Sequence, residues 1–230
     1  MIYLIPSFLA PEATETIPAY VLEAVKNCQV IFAENERTAR RFLKSLSKEI
    51  VIDDFEWHTI HKAETEQIQS FIQKIKEEKN IAIISEAGCP GVADPGQILI
   101  SEAQKLNVKI HPLVGPSSIL LALMASGLNG QQFTFNGYLP IDNFERNKKI
   151  RQLEEESEKQ NCTQIFIETP YRNNKLLENI LQQCKPLTKL CIAAEITSAA
   201  EWIKTKSIEE WRKEKIDLHK KPVIFLLLAK

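Results

Sequence analysis

The chain has 230 residues, enough to bury a full core as one large domain or two smaller ones. Its composition, 44% hydrophobic and 26% charged, is that of an average soluble protein. A formal net charge of -1 excludes the bulk positive charge of many non-specific nucleic-acid binders, so a polyanionic partner requires a local patch.

In chain order, "MIYLI" at 1–5 reads as a first strand. It has no basic segment before it and meets Pro6 and Pro11 early, so no secretory leader is expected. "CQVIFAE" at 28–34, "IVID" at 50–53, "NIAIIS" at 80–85 and "VKIHPLV" at 108–114 read as further strands, most of them apolar on both faces. "IPAYVLEAVKN" and "AETEQIQSFIQKIKEEKN" read as helices between them, the second with Ile68, Phe71, Ile72 and Ile75 on one stripe. This is a parallel α/β pattern. "VGPSS" at 114–118 marks a boundary, dividing the chain into α/β domains at 1–115 and 116–230. Strands follow near 132–139, 162–168, 190–196 and 222–229, and the charged helix at 142–160 reads as a solvated cover whose cationic first half can face a partner. No apolar run is long enough for a membrane span. Cys28, Cys89, Cys162, Cys184 and Cys191 lack metal spacing and are odd in number, so a reducing, cytoplasmic setting is expected and the Asn161 sequon is idle.

The chemistry concentrates in "SEAGCPGVADPG" at 85–96, between a strand and a helix. Loops at the carboxyl ends of parallel strands bind ligands, and glycines let backbone approach them with free amides. Asp94 has a second reading as the cap of the following helix. The loop is neither a GxGxxG fingerprint nor a P-loop, so residue types alone stop at a cofactor or small-ligand loop.

This loop resembles the SDAGTPGISDPG of the tetrapyrrole methylase superfamily, and within it of bacterial small-subunit ribosomal RNA cytidine 2'-O-methyltransferases. "AENERTARRFL" at 33–43 is similar to their AEDTRHTRRLL, and "VGPSS", "ASGL" at 125–128, "GYLP" at 137–140 and "ETPYR" at 168–172 follow in family order. The resemblance covers nearly the whole chain. It implies a two-domain tetrapyrrole methylase-like α/β fold with S-adenosyl-L-methionine in a cleft between the domains, a homodimer, and ribosomal RNA or the small ribosomal subunit as partner. The departures are a glycine-free "IPSFLAPEATETIP" in place of TPIGNLGD, and Ala194, Ser198 and Ala199 at basic positions. The segment after "GYLP", "IDNFERNKK", is less basic than the family's, and no C-terminal extension is expected after "PVIFLLLAK". All fall on the side that the resemblance gives to substrate.

By similarity, the cofactor residues are Gly88, Cys89, Pro90, Gly91, Asp94, Ser117 and Ser118, with Ala125, Gly137, Tyr138, Leu139 and Pro140 on the adenine side. The sulfonium already activates the methyl group, so the protein aligns donor and acceptor, and a hydroxyl acceptor gains from a proton acceptor. Glu34, His58 and Glu168 are the catalytic candidates; Arg37, Arg40, Arg41 and Arg172 are the substrate-binding ones. Each has a bland alternative: a helix cap or ion pair for Glu34, a solvated helix face for the arginines, a structural ion pair for Glu168 with Arg172. Trp57 is either a base-stacking ring or packing. His58 and His61 have no supporting ligand set, so no metal is expected. Two other functions stay open: the same fold with a small acceptor, and a non-catalytic adenosine-ligand or RNA-binding protein.

Overall fold

Residues 1–60 and 64–230 are described by a computed structural model, and His61 lies outside them. Strands β1 (Ile2–Ile5), β2 (Val30–Ala33), β3 (Glu56–Thr59), β4 (Ile81–Ile84) and β5 (Ile110–Pro112) form a sheet in the order β3-β2-β4-β1-β5. Every pairing in it is parallel. Side chains along these strands alternate between two cores, which explains why the sequence reads apolar without a break. Ile5, Ile31, Ala33, Ala82 and Ile84 pack with α1 (Tyr20–Lys26) and α2 (Glu36–Leu46). Ile2, Val30, Phe32, Ile81 and Ile83 pack on the other face with α3 (Ile68–Lys76) and α4 (Gln97–Lys105).

The strand expected at 50–53 is not formed. Ile52–Asp54 is a short 3-10 turn, Ile50 is buried against the α2 side, and the pairing starts at Glu56. Two consecutive exposed aspartates favour a turn, and the edge position of β3 leaves its own sequence, "EWHT", without an apolar run. Asp94 does not cap α4 either. The amides of Ile98 and Leu99 donate to Glu64 Oε1 at 2.8 and 3.1 Å, so a carboxylate distant in sequence satisfies that helix start.

The chain divides into two units, Met1–Ser117 and Ser118–Lys230. In the second, α5 (Ser118–Ser126), β6 (Phe133–Tyr138), α6 (Asn143–Gln160), β7 (Thr163–Ile167), α7 (Asn173–Gln183), β8 (Lys189–Ala194), β9 (Trp202–Ser207), α8 (Ile208–Trp211) and β10 (Val223–Leu228) follow one another. The sheet order is β6-β7-β10-β8-β9, and only β6 and β7 run parallel. Strand β9 had no expectation in the sequence; its alternating Lys204 and Lys206 disguise an edge strand. The fully buried β10 lies at the centre. Helices α6, α7 and α8 cover one face through Ile150, Leu153, Leu176, Ile180 and Trp211. Helix α5 covers the other, with Ser126 carbonyl accepting from Thr205 Oγ1 at 2.6 Å.

Helix α6 is more than a solvated cover. Buried Arg146 donates to Asn179 Oδ1 at 2.9 Å, Asn143 Oδ1 at 3.0 Å and Ile141 carbonyl at 2.8 Å. Buried Glu154 accepts from the Lys185 amide and Thr188 hydroxyl. Its inner face carries paired polar side chains beside Ile150 and Leu153, so apolar counting understates its burial.

Candidate active site

In the first unit, β4 sends the chain to the face opposite the one taken after its neighbours β1 and β2. Such a switch opens a crevice at the carboxyl ends of the strands. The loops after β1, β2 and β4 meet there. The first is glycine-free but firmly placed: Ser7 amide donates to Gly88 carbonyl at 2.9 Å, Gly88 amide to Ser7 carbonyl at 3.0 Å, and Ser7 Oγ to Ser85 carbonyl at 3.0 Å. Gly88 therefore has no free amide, and Gly91 donates its own to Pro95 carbonyl at 3.2 Å. The expected amide cradle is engaged within the loop at both glycines. Gly88 still has a steric role, with φ +72 and only Leu9 and Pro116 at 3.4 and 3.5 Å from where a Cβ would sit.

The crevice is acidic. Asn35 caps α2 through the amides of Arg37 and Thr38, which fixes the turn after β2. Glu34 Oε2 then accepts the Glu86 amide at 2.9 Å, and Thr38 Oγ1 donates to Glu86 Oε1 at 3.2 Å. Asp94 is half-buried, and burial, followed by the charges of Glu34 and Glu86, pushes its carboxyl up to about 7. Burial and Asp94 also raise the Cys89 thiol, which stays protonated and hydrogen-bonds Pro116 carbonyl at 3.6 Å. Among the described residues, none of the three carboxylates forms an ion pair. Glu86 and Thr38 had no assigned role in the sequence; the signal for Glu86 is its place opposite the aspartate of SDAG.

The arginine cluster separates. Arg40 pairs with Glu36 at 2.6 Å and stacks over Trp57 at 5.1 Å, while Trp57 Nε1 donates to Ile52 carbonyl at 3.1 Å. Both are part of the packing beside α2. Arg37 and Arg41 are exposed, one turn apart, and make no ion pair among the described residues. His58 lies in edge strand β3. Its ring stacks on Phe32 at 4.5 Å, with Nε2 3.0 Å from Glu56 and Nδ1 3.3 Å from Gln67, so it is not brought together with Glu34. No group of three metal-ligating side chains occurs among the described residues.

In the second unit, Glu168 is buried at the carboxyl end of β7. Its Oε1 accepts from Thr169 amide and from Arg172 Nε and Nη2 at 3.0 and 2.7 Å, while Oε2 is buried without a partner among the described residues. The neighbouring end of β6 carries Gly137 at φ +63 with open space above it, exposed Tyr138 and Pro140, and buried Leu139. Exposed Ala125 is on α5, which begins at Ser118 directly after Ser117.

The family model described as Tetrapyrrole (Corrin/Porphyrin) Methylases matches residues 9–211. The chain belongs to the tetrapyrrole methylases. It is accordingly an S-adenosylmethionine-dependent methyltransferase. Two relatives, each named Ribosomal RNA small subunit methyltransferase I, come from Buchnera aphidicola. The one from subspecies Schizaphis graminum is 31% identical over 99% of this chain and 78% of its own length. The one from subspecies Acyrthosiphon pisum is 29% identical with the same coverage. The crystal structure of the methyltransferase CobJ shares the fold, with a TM-score of 0.65 at 16% identity, over 99% of this chain and 93% of that one. The site fits the family's methyl donor: Asp94, raised first by burial and then by the charges of Glu34 and Glu86, makes no ion pair among the described residues, which suits a ligand carrying a sulfonium and an ammonium.

Proposed function

We propose that this tetrapyrrole methylase transfers a methyl group to a ribose 2'-hydroxyl of small-subunit ribosomal RNA. The observation that carries this reading is the match of 99% of the chain to relatives named for that RNA. S-adenosylmethionine, when bound, supplies a methyl group already activated by its sulfonium. By similarity, Gly88, Cys89, Pro90, Gly91, Asp94 and Ser117 of the first unit would hold it, and Ser118, Ala125, Gly137, Tyr138, Leu139 and Pro140 are the second unit's candidates. Half-buried Asp94, in the field of Glu34 and Glu86, is a carboxyl whose charged form a cationic ligand would stabilise. Glu34 positions the Glu86 segment through the amide it accepts. Arg37 and Arg41 offer uncommitted cations to phosphate, and Arg172 orients Glu168, whose free Oε2 accepts a ligand N–H or O–H. Arg40 and His58 act through packing, Arg40 against Glu36 and Trp57 and His58 against Phe32.

The protein works as a homodimer in the cytoplasm. Leu120 and Met124 are 52% and 78% exposed on the outer side of α5, a helix apolar all round, which favours burial against a second copy. Five free cysteines fit a reducing compartment.

Mass-spectrometric mapping of ribose methylation in small-subunit RNA, with and without this gene, tests the acceptor. One methyl group lost and restored by purified protein with labelled cofactor is expected. An unchanged map from a protein that binds cofactor tightly overturns the assignment.

A further inference from the structure

The first unit has a cavity of about 330 Å³ between the loop after β1, helix α2 and the start of the loop after β4. It falls within the roughly 300–1,000 Å³ of small-ligand pockets. Phe8, Leu9, Pro11 and Phe42 supply apolar walls, and Phe8 meets Phe42 edge to face at 5.3 Å. Most polar atoms in the lining are already satisfied: the hydroxyl of Ser7 donates to Ser85 carbonyl, that of Ser45 to Phe42 carbonyl and that of Ser85 to Ala87 carbonyl. Two groups remain uncommitted among the described residues, the Arg41 guanidinium and the Glu86 Oε2. A wall of aromatic and proline carbon with one exposed cation and one exposed carboxylate oxygen in the lining forms a specific combination. It matches a planar heterocycle carrying an N–H, joined to an anion.

We propose that this cavity takes one unstacked nucleotide of the RNA substrate, its base against Phe8, its phosphate at Arg41 and a base N–H donated to Glu86. The assignment rests on the RNA reading above. A flipped or single-stranded base exposes the ring face and edge that such a pocket needs, whereas a stacked duplex base exposes neither. Exposed Arg37, one helical turn before Arg41, extends the positive rim toward the next phosphate. The glycine-free first loop acquires a purpose here, because Phe8, Leu9 and Pro11 all come from it and its bridge to Gly88 holds them in place.

The test uses the full chain and small ribosomal subunits purified from cells lacking the gene. Ultraviolet crosslinking followed by peptide mapping is expected to place RNA on a peptide containing Phe8 or Phe42. Phe8→Ala should raise the KM for the particles about 5- to 100-fold through lost stacking. Arg41→Ala, at an exposed position that leaves folding intact, should lower the salt dependence of RNA binding by about one phosphate contact. Cofactor affinity should be unchanged in both variants. A wild-type enzyme that methylates the particles, with crosslinks confined elsewhere and both variants behaving as wild type, overturns the pocket alone. A wild type that binds cofactor but neither crosslinks nor methylates overturns the RNA reading and the pocket together.

Discussion

Asp94 links the crevice to pH. Its carboxyl is raised from 3.8 to about 7, so between those values the folded chain holds a proton that the unfolded chain has released. Its contribution to stability is therefore full at acid pH and is lost as pH rises through about 7. Asp94→Asn removes the ionisation and should raise the Tm at pH 8 relative to the wild type, while leaving it nearly unchanged at pH 4. The gain is expected to be about 2–4 °C, since partial exposure reduces the cost of ionising the half-buried carboxyl beside Glu34 and Glu86 and roughly 1 kcal/mol shifts a chain of this length by that amount. Equal Tm differences at the two pH values would remove ionisation of Asp94 as its cause. Gly115 is a different kind of residue constraint. A Cβ there would overlap the Pro6 ring, so Gly115→Ala should cost about 1–3 kcal/mol of overpacking, read by urea denaturation. The glycine of "VGPSS" was visible in the sequence as a turn signal, but the proline that excludes a side chain from it is 109 positions earlier, beyond any local reading.

Among the elements, α6 shows how a helix with few apolar positions is anchored. Glu154 satisfies the Lys185 amide and Thr188 hydroxyl, tying α6 to the turn between α7 and β8. Glu154→Ala leaves both buried donors without an acceptor and should destabilise the protein by about 1–3 kcal/mol. Glu154→Gln retains an acceptor and should lose less, and the difference between the two variants in thermal unfolding measures the hydrogen bonds. Strands β1, β2, β4 and β10 were legible because their apolar runs report burial on two faces, whereas β3 and β9 are edge strands with polar or lysine-bearing outer positions. The α4 start is the helical counterpart: its sequence carries an aspartate nearby, yet the acceptor that reaches its amides is Glu64.

For the whole molecule, α5 connects fold to assembly. One side of it closes the sheet of the second unit through Ala122 and Leu123, and the other presents Leu120 and Met124. Met124→Lys should shift sedimentation from dimer toward monomer, with circular dichroism unchanged because the side chain is 78% exposed. A wild-type mass at every concentration would place the interface elsewhere.

The order of elements, the alternation in the buried strands and the loop motifs were determined by the sequence itself, because helix and strand periods and turn chemistry are encoded between near neighbours. The site was legible as a set of motifs rather than as an arrangement. Only the tertiary structure brought Glu86 onto Glu34, gathered Asp94 into their field, and gave Arg40 and His58 the partners Trp57, Glu36 and Phe32. The physical reason is distance: charge coupling and desolvation act through space, between side chains that the parallel crossovers bring together from segments about fifty residues apart.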